Sequence, residues 1–339
     1  MEGQENARQW QAQFDRPCDA VAATRLLRGS QRVVVGLSSL GGNVWDGCVK
    51  VLDASSGAEL ESREMNSGVA CVCFSEGETV SLVGCDDGSL SVMSIIADHN
   101  PLLTQLDSFF PHDDIVSRIS TSNKLGDEFC LTSGWDGHVF LWDLSKADKQ
   151  MPVGNFCDAH VGAVADCAIS PFQPTLLSST GADGFLRLWD SRAASGRCSS
   201  QVQLGCPASA LCFSLLSEHL VAVGLEDGRV VLVDARSVGS KRPAEDSSSP
   251  AVFVSAAEQL HAARVRRVTA CSDGSWITAS DDATVAHVGN DLSSGSGSDR
   301  RSLHADFVAD VAVSDMGHAG SPLRVWSAST DRSLRLTLF

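Results

Sequence analysis

One phrase recurs seven times along the 339 residues: an aspartate, usually followed by glycine, then an alternating apolar strand. It reads WDGCVKVLD, DDGSLSVMS, WDGHVFLWD, ADGFLRLWD, EDGRVVLVD, DDATVAHVG and TDRSLRLTL, with the aspartates at Asp46, Asp87, Asp136, Asp183, Asp227, Asp282 and Asp331. Their spacings of 41, 49, 47, 44, 55 and 49 residues fill the chain. Asp-Gly before an alternating run is a tight-hairpin signal: glycine takes positive φ without steric cost, and the strand then sends successive side chains to opposite faces. One such unit cannot cover both faces of its own sheet, whereas seven arranged radially cover one another. The expected fold is all-β, a seven-bladed propeller.

Six residues beyond the turn aspartates stand Leu52, Met93, Trp142, Trp189, Val233, Val288 and Thr337, and an aspartate follows four of them, at Asp53, Asp143, Asp190 and Asp234. In four units a histidine precedes the turn by 21 to 27 residues, at His112, His160, His261 and His304. This pattern resembles the WD40 repeat family. The resemblance implies a buried hydrogen-bond network of histidine, turn aspartate and strand tryptophan, matched best by His112, Asp136 and Trp142 and by His160, Asp183 and Trp189. Units six and seven carry Val288 and Thr337 in place of the tryptophan, so their networks are expected to be incomplete and their blades to fray first.

The last strand, SLRLTLF, ends at the C-terminus, and its blade needs an outer partner. WQAQF alternates, so residues 1–18, through a strand near Ala7 to Phe14, are expected to close the last blade of a propeller spanning 19–339; the alternative is a mobile tail. GSKRPAEDSSSP, residues 239–250, reads as a surface insertion between blades five and six, its KRP a solvated loop ahead of a nuclear signal. SSGSGSDRRS, residues 293–302, reads as a flexible connection into blade seven.

Chemistry is hard to find in these repeats. GLSSLGG lacks the spacing of a nucleophile elbow, no phosphate-binding glycine loop occurs, and the histidines recur once per unit where metal ligation needs convergence. No metal, cofactor or catalytic residue is expected. Twelve cysteines without a CxxC pair read as small core residues, not disulfides. A start without a basic flank and apolar stretch, and the lack of a long apolar run, lead to the expectation of a soluble protein of cytoplasm and nucleus with no membrane partner. The net charge of −16 argues against nucleic acid as partner and suits a basic one, although acidity also serves solubility.

A binding module remains, and its partner has to be read from residues the repeat does not require. Trp45, directly before Asp46, is such a residue: the same position in later units holds Asp86, Trp135, Ala182, Glu226, Asp281 and Thr330. The approach SSLGGNVW, with Gly41, Gly42, Asn43 and Val44, is long enough to lift a loop and set Trp45 on the surface as an interface anchor. The competing reading folds Trp45 back over its own blade, and Trp135, lacking the long loop, is read that way.

SSLGGNVWDG, HDDIVS, DAHVGAVADCAISP and HADFVADVAVS together resemble the WD-repeat subunits of the methylosome, the complex of a type II, symmetric protein arginine methyltransferase. That resemblance implies a non-catalytic adaptor that binds the methyltransferase's N-terminal TIM-barrel domain and helps present Arg-containing substrates such as histones and Sm proteins. It implies docking by Trp45 and its loop, with Phe307 also at the partner surface, and a hetero-octameric assembly. The absence of tyrosine, the weak last two repeats and the KRPAED insertion depart from it. Other WD40 scaffolds, such as a histone-binding chaperone or a ubiquitin-ligase substrate receptor, fit the acidic propeller too; an enzyme using the central channel fits least.

Overall fold

The computed structural model describes residues 9–24, 31–41, 44–75, 78, 80–95, 102–122, 129–145, 151–193, 198–236, 254–292, 298–314 and 322–339. They form seven antiparallel sheets of four strands each. Blade one spans 18–65, two 69–109, three 116–156, four 164–203, five 208–259 and six 265–302; blade seven joins 308–338 to the N-terminal strand Trp10–Gln13. Within blades one to six the chain runs from the innermost strand outwards, and blade seven takes its outermost strand from the N-terminal segment. The innermost strands pack on one another in order, and Val308–Ser314 packs on Cys18–Ala23, which closes the ring.

Alternation along the strands puts aliphatic side chains between neighbouring blades. Leu186 and Leu188 of blade four meet Leu211, Val221 and Val231 of blade five, and Trp326 and Leu334 of blade seven meet Val21 and Val33 of blade one. Each fully buried aliphatic side chain contributes about 1.5–3 kcal/mol, so the inter-blade seams are the core of the molecule. None of the twelve cysteines forms a disulfide, and most are buried or half-buried.

At the seam of the chain ends, Trp10–Gln13 pairs antiparallel with Ser333–Leu338. The Trp10 indole N–H donates to the Ala54 carbonyl at 3.0 Å, so this strand also touches blade one. Ala7 and Arg8, part of the expected closing segment, lie outside the described residues, as do 239–250 and 293–297. The expected flexible connection is corrected at its far end: Asp299–Ser302 is the outer strand of blade six, paired with Thr284–Val288. Arg301 explains the hold, since its guanidinium stacks on Phe339 at 4.3 Å and donates to the Leu338 carbonyl at 2.8 Å.

Blades six and seven are also better filled than their repeats suggest. Trp276 sits directly across from Val288, and Trp326 across from Leu336, next to Thr337; both indoles are wholly buried. In blade six the bulk missing at the strand end is supplied from the adjacent inner strand, whereas in blade seven Trp326 fills the opposite face, towards blade one.

The centre of the ring is ionic. Every innermost strand has a register shift after its first residue, and in four blades the residue following the shift is charged: Arg118, Asp166, Arg267 and Asp310. Arg118 lies 3.5 Å from Asp166 and 3.6 Å from Asp310, and Arg267 lies 3.3 and 3.4 Å from the same two carboxylates. These carboxylates also accept from the backbone of blades one and five, Val21 N–H at 3.1 Å and Leu211 N–H at 2.9 Å. Two arginines and two aspartates therefore tie six blades together and cancel in charge. Such a lattice closes the ring; it is not a convergent catalytic set.

Candidate functional site

The turns between second and third strands and the connections between blades share one end of the propeller, because each blade's strands alternate in direction. The repeat histidines are anchored there. In blade three, His112 Nδ1 lies 2.9 Å from Asp136, its Nε2 lies 3.0 Å from the Thr132 hydroxyl, and the Trp142 indole donates to the same hydroxyl at 3.0 Å. Blade four repeats the arrangement with His160, Asp183, Ser179 and Trp189 at 2.8, 2.8 and 2.9 Å, and Arg187 adds a bond to Asp183 at 2.7 Å. Burial depresses the His160 imidazole against the pull of Asp183. Burial also opposes ionisation of Asp183, but hydrogen bonds from His160 and Arg187 outweigh it and hold its carboxyl at about 2. His261 and His304 keep their aspartate and hydroxyl partners, Asp282 with Thr278 and Asp331 with Ser327, and lack the tryptophan alone. These groups are spent on the fold.

Blade one breaks the pattern. In the other six blades the residue before the turn aspartate donates its N–H to the residue preceding the innermost strand: Asp86 to Gly68, Trp135 to Ile115, Ala182 to Ala163, Glu226 to Pro207, Asp281 to Arg264 and Thr330 to Phe307, at 2.9 to 3.1 Å. Blade one makes this bond from Ser38, to the Pro17 carbonyl at 3.2 Å. Ser39, not Asp46, therefore occupies the turn-aspartate position. The strands Arg32–Gly41 and Val44–Asp53 run on for ten residues each, with Leu40 opposite Trp45 and Gly41 opposite Val44. Asp46 lies inside this long hairpin, where the Ser39 hydroxyl donates to it at 2.7 Å.

Two expectations are corrected by that register. Asp46 is not a turn residue, and Gly47 does not take the left-handed φ seen at Gly88, Gly137, Gly184 and Gly228. Gly47 serves a close approach instead, since a Cβ there would run into the Ser67 carbonyl oxygen. Ser38–Gly41 and Val44–Trp45 belong to paired strands, not to a lifted loop, and Trp45 is not the counterpart of Trp135. The signal was present: a Gly-Asn pair ahead of Asp46 is a sequence cue for a two-residue hairpin connection. Gly42 and Asn43 lie outside the described residues.

Trp45 is half exposed, at 50%. The indole lies over Gly68, at the boundary of blades one and two, where its Nε1 and the Asp86 carboxylate both pack against that glycine. Burial raises the Asp86 carboxyl, the adjacent Trp45 indole N–H opposes the rise, and Asp87 adds to it. Behind it, burial pushes Asp19 up to about 6; Ser38 and Arg266 pull it down while Asp86 adds to the rise. On the hairpin's other flank Arg16 donates to Glu64 at 2.8 Å and lies 3.8 Å from Asp46.

Trp135, on blade three, is 51% exposed, and Phe307, on the connection into blade seven, has its ring 6.0 Å from the Arg266 guanidinium. Phe110 and Val161, on the same end, are more exposed still and were not singled out from the sequence. The alternation that ends at Phe109 in SFFPHDD was the available signal for Phe110. Charge divides this end in two. Glu226, Asp227, Asp281 and Asp282 pair with Arg264, Arg229, Arg266 and Arg300, whereas Asp86, Asp87, Asp113 and Asp114 have no Lys or Arg ion pair among the described residues.

Seven four-stranded blades in a closed ring, two of them with the full His-Asp-hydroxyl-Trp network, define the class: this chain is a seven-bladed WD40 β-propeller, and the family described as WD domain, G-beta repeat matches residues 103–143 and 151–190. Among individual proteins it is similar to Methylosome protein WDR77 of Xenopus laevis, 27% identical over 90% of this chain and 89% of that protein. Striatin-4 of Mus musculus is 25% identical over 81% of this chain but 36% of its own length. Histone acetyltransferase type B subunit 2 of Kluyveromyces lactis is 32% identical over 31% of this chain and 25% of its own. Of these three, the methylosome protein alone matches along nearly the whole of both chains.

Proposed function

We propose that this propeller is a non-catalytic WD40 adaptor of a methylosome. It binds the N-terminal TIM-barrel domain of a type II protein arginine methyltransferase through the Trp45 hairpin and helps present basic Arg-containing substrates, such as histones and Sm proteins. The observation that carries the reading is that hairpin: a half-exposed tryptophan on a projecting strand pair that the repeat does not require. End-to-end similarity to a methylosome protein supports it. Tryptophan suits the task because it buries on the order of 200 Å² with few rotatable bonds.

Charge supports the second half of the reading. A chain of net charge −16, with uncompensated aspartates on one sector of the same end, raises the local concentration of cationic segments near the methyltransferase. The repeat histidines His112, His160, His261 and His304 are engaged in structural hydrogen bonds, and methyl transfer is assigned to the partner. The assembly expected is a hetero-octamer, which the mass of the co-purified complex checks. Binding kinetics of Trp45→Ala on the full-length methyltransferase test the docking: affinity at the parent's level rejects it. A histone-binding chaperone, the second reading, is favoured by the short similarity to the acetyltransferase subunit, and it requires histone binding of equal strength with and without the methyltransferase.

A further inference from the structure

We infer that Asp86 and Gly68 form a latch that fixes the orientation of Trp45 before a partner arrives, so that Asp86, on a different blade, is a positioning residue for docking. The inference rests on the reading that Trp45 is the docking anchor.

Three observations converge on it. The Trp45 indole Nε1 and the Asp86 carboxylate meet over Gly68, across the boundary between blades one and two, and the indole N–H opposes the rise that burial gives that carboxyl. Gly68 is the floor of the contact: a Cβ added there would come within 2.5 Å of Trp45 Nε1 and overlap the Asp86 carboxylate, so only glycine lets the two side chains meet over it. Asp86 is itself held to that floor, its N–H donating to the Gly68 carbonyl at 2.9 Å. The hairpin is braced on its other flank by Arg16 through Glu64 and Asp46. Trp135 offers the contrast. The residue at the Asp86 position of the blade after it is Ala182, which has no side-chain acceptor.

An anchor that samples several orientations binds through the fraction in the competent one, and its apparent affinity falls by that fraction. A latched indole avoids that loss. Removing the acceptor while leaving the ring should therefore slow association more than it speeds dissociation.

The experiment uses the full chain labelled with 5-fluorotryptophan, the Trp45 resonance being assigned by its loss in Trp45→Phe. Fluorine spectra, melting temperature and kinetics on full-length methyltransferase are then compared for Asp86→Ala, Asp86→Asn and Gly68→Ala. Asp86→Ala and Gly68→Ala are expected to move the Trp45 resonance towards the solvent-exposed position and to slow association by about fivefold to tenfold. Asp86→Asn, whose amide oxygen still accepts, is expected to restore both, with melting temperatures close to the parent's throughout. A Trp45 resonance and association rate unchanged in Asp86→Ala overturn the latch, as does an asparagine variant that behaves like alanine with a lowered melting temperature. If Trp45→Ala binds like the parent, the docking reading fails, and the latch fails with it as a docking device; if Trp45→Ala is weakened while Asp86→Ala is not, the latch alone fails.

Discussion

Trp45 and Trp135 stand directly before an Asp-Gly pair and are about equally exposed, at 50% and 51%, yet they belong to different structures. Trp135 sits in the ordinary turn of blade three, its N–H on the Ile115 carbonyl and its following aspartate engaged with His112. Trp45 sits on a strand of an extended hairpin whose turn lies beyond it, and its following aspartate bonds Ser39. Exposure and local sequence alone fail to separate the two tryptophans. What sets Trp45 apart is projection beyond the repeat and support from a second blade.

The largest effect expected from breaking this comparison comes from a third tryptophan that is neither exposed nor at an interface. Trp189→Ala removes a buried indole and leaves the Ser179 hydroxyl short of a donor, and should cost about 3–5 kcal/mol in denaturant unfolding while the folded fraction binds the methyltransferase normally. Trp45→Ala is expected to do the reverse: unfolding free energy within about 0.5 kcal/mol of the parent and binding weaker by at least about 2 kcal/mol, roughly 30-fold, by interferometry. Trp135→Ala should change neither by more than about 0.5 kcal/mol. Binding lost equally in the two exposed-site variants would erase the distinction drawn between them.

Acid separates the repeat network from the hairpin's surroundings. His160 has a depressed folded value, so its contribution is fully present above the ordinary imidazole range near 6.5 and is lost as pH falls. Asp183, at about 2 in the folded chain, contributes above 3.8 and loses that contribution as pH drops towards 2. Asp19 has the opposite sign: raised to about 6, it disfavours the fold while ionised, and that cost is relieved as pH falls from 6 towards 3.8. The melting temperature of His160→Gln should therefore fall less than the parent's between pH 7 and 5. Asp19→Asn should melt higher than the parent at pH 7.5, with the gap closing by pH 4.

A smaller effect sharpens the contrast between strong and weak repeats. Four turns place glycine after the aspartate in the left-handed region, whereas blades six and seven place Ala283 at φ 63° and Arg332 at φ 68° there. Arg332→Gly should stabilise by about 1 kcal/mol in thermal unfolding, because the side chain now disfavours that backbone conformation. No gain would mean that the turn of blade seven is not where its weakness lies.

Much of the fold was legible because it is local. Alternating strands, Asp-Gly turns and a histidine in four of the units are written in short windows, and the period of the phrase set the number of blades. What escaped was non-local. The ionic lattice joins Arg118 to Asp310 and Arg267 to Asp166 across the ring, pairs that no spacing along the chain suggests. Trp276 and Trp326 fill blades six and seven from a strand the repeat phrase does not include. Asp299–Ser302 forms a strand despite its neighbouring Ser and Gly residues because Thr284–Val288 offers it an edge.

The sequence by itself determined the class of fold, the hydrogen-bond networks of blades three and four, and the presence at residue 45 of a tryptophan the repeat does not need. Only the tertiary structure decided where that tryptophan stands. Hairpin register depends on which backbone groups are already taken, and in blade one Ser38 takes the bond to Pro17 that elsewhere belongs to the residue before the turn aspartate. That one bond moves Asp46 out of the turn and carries Trp45 along the hairpin to Gly68 and Asp86, residues of the next blade that no local rule connects to it.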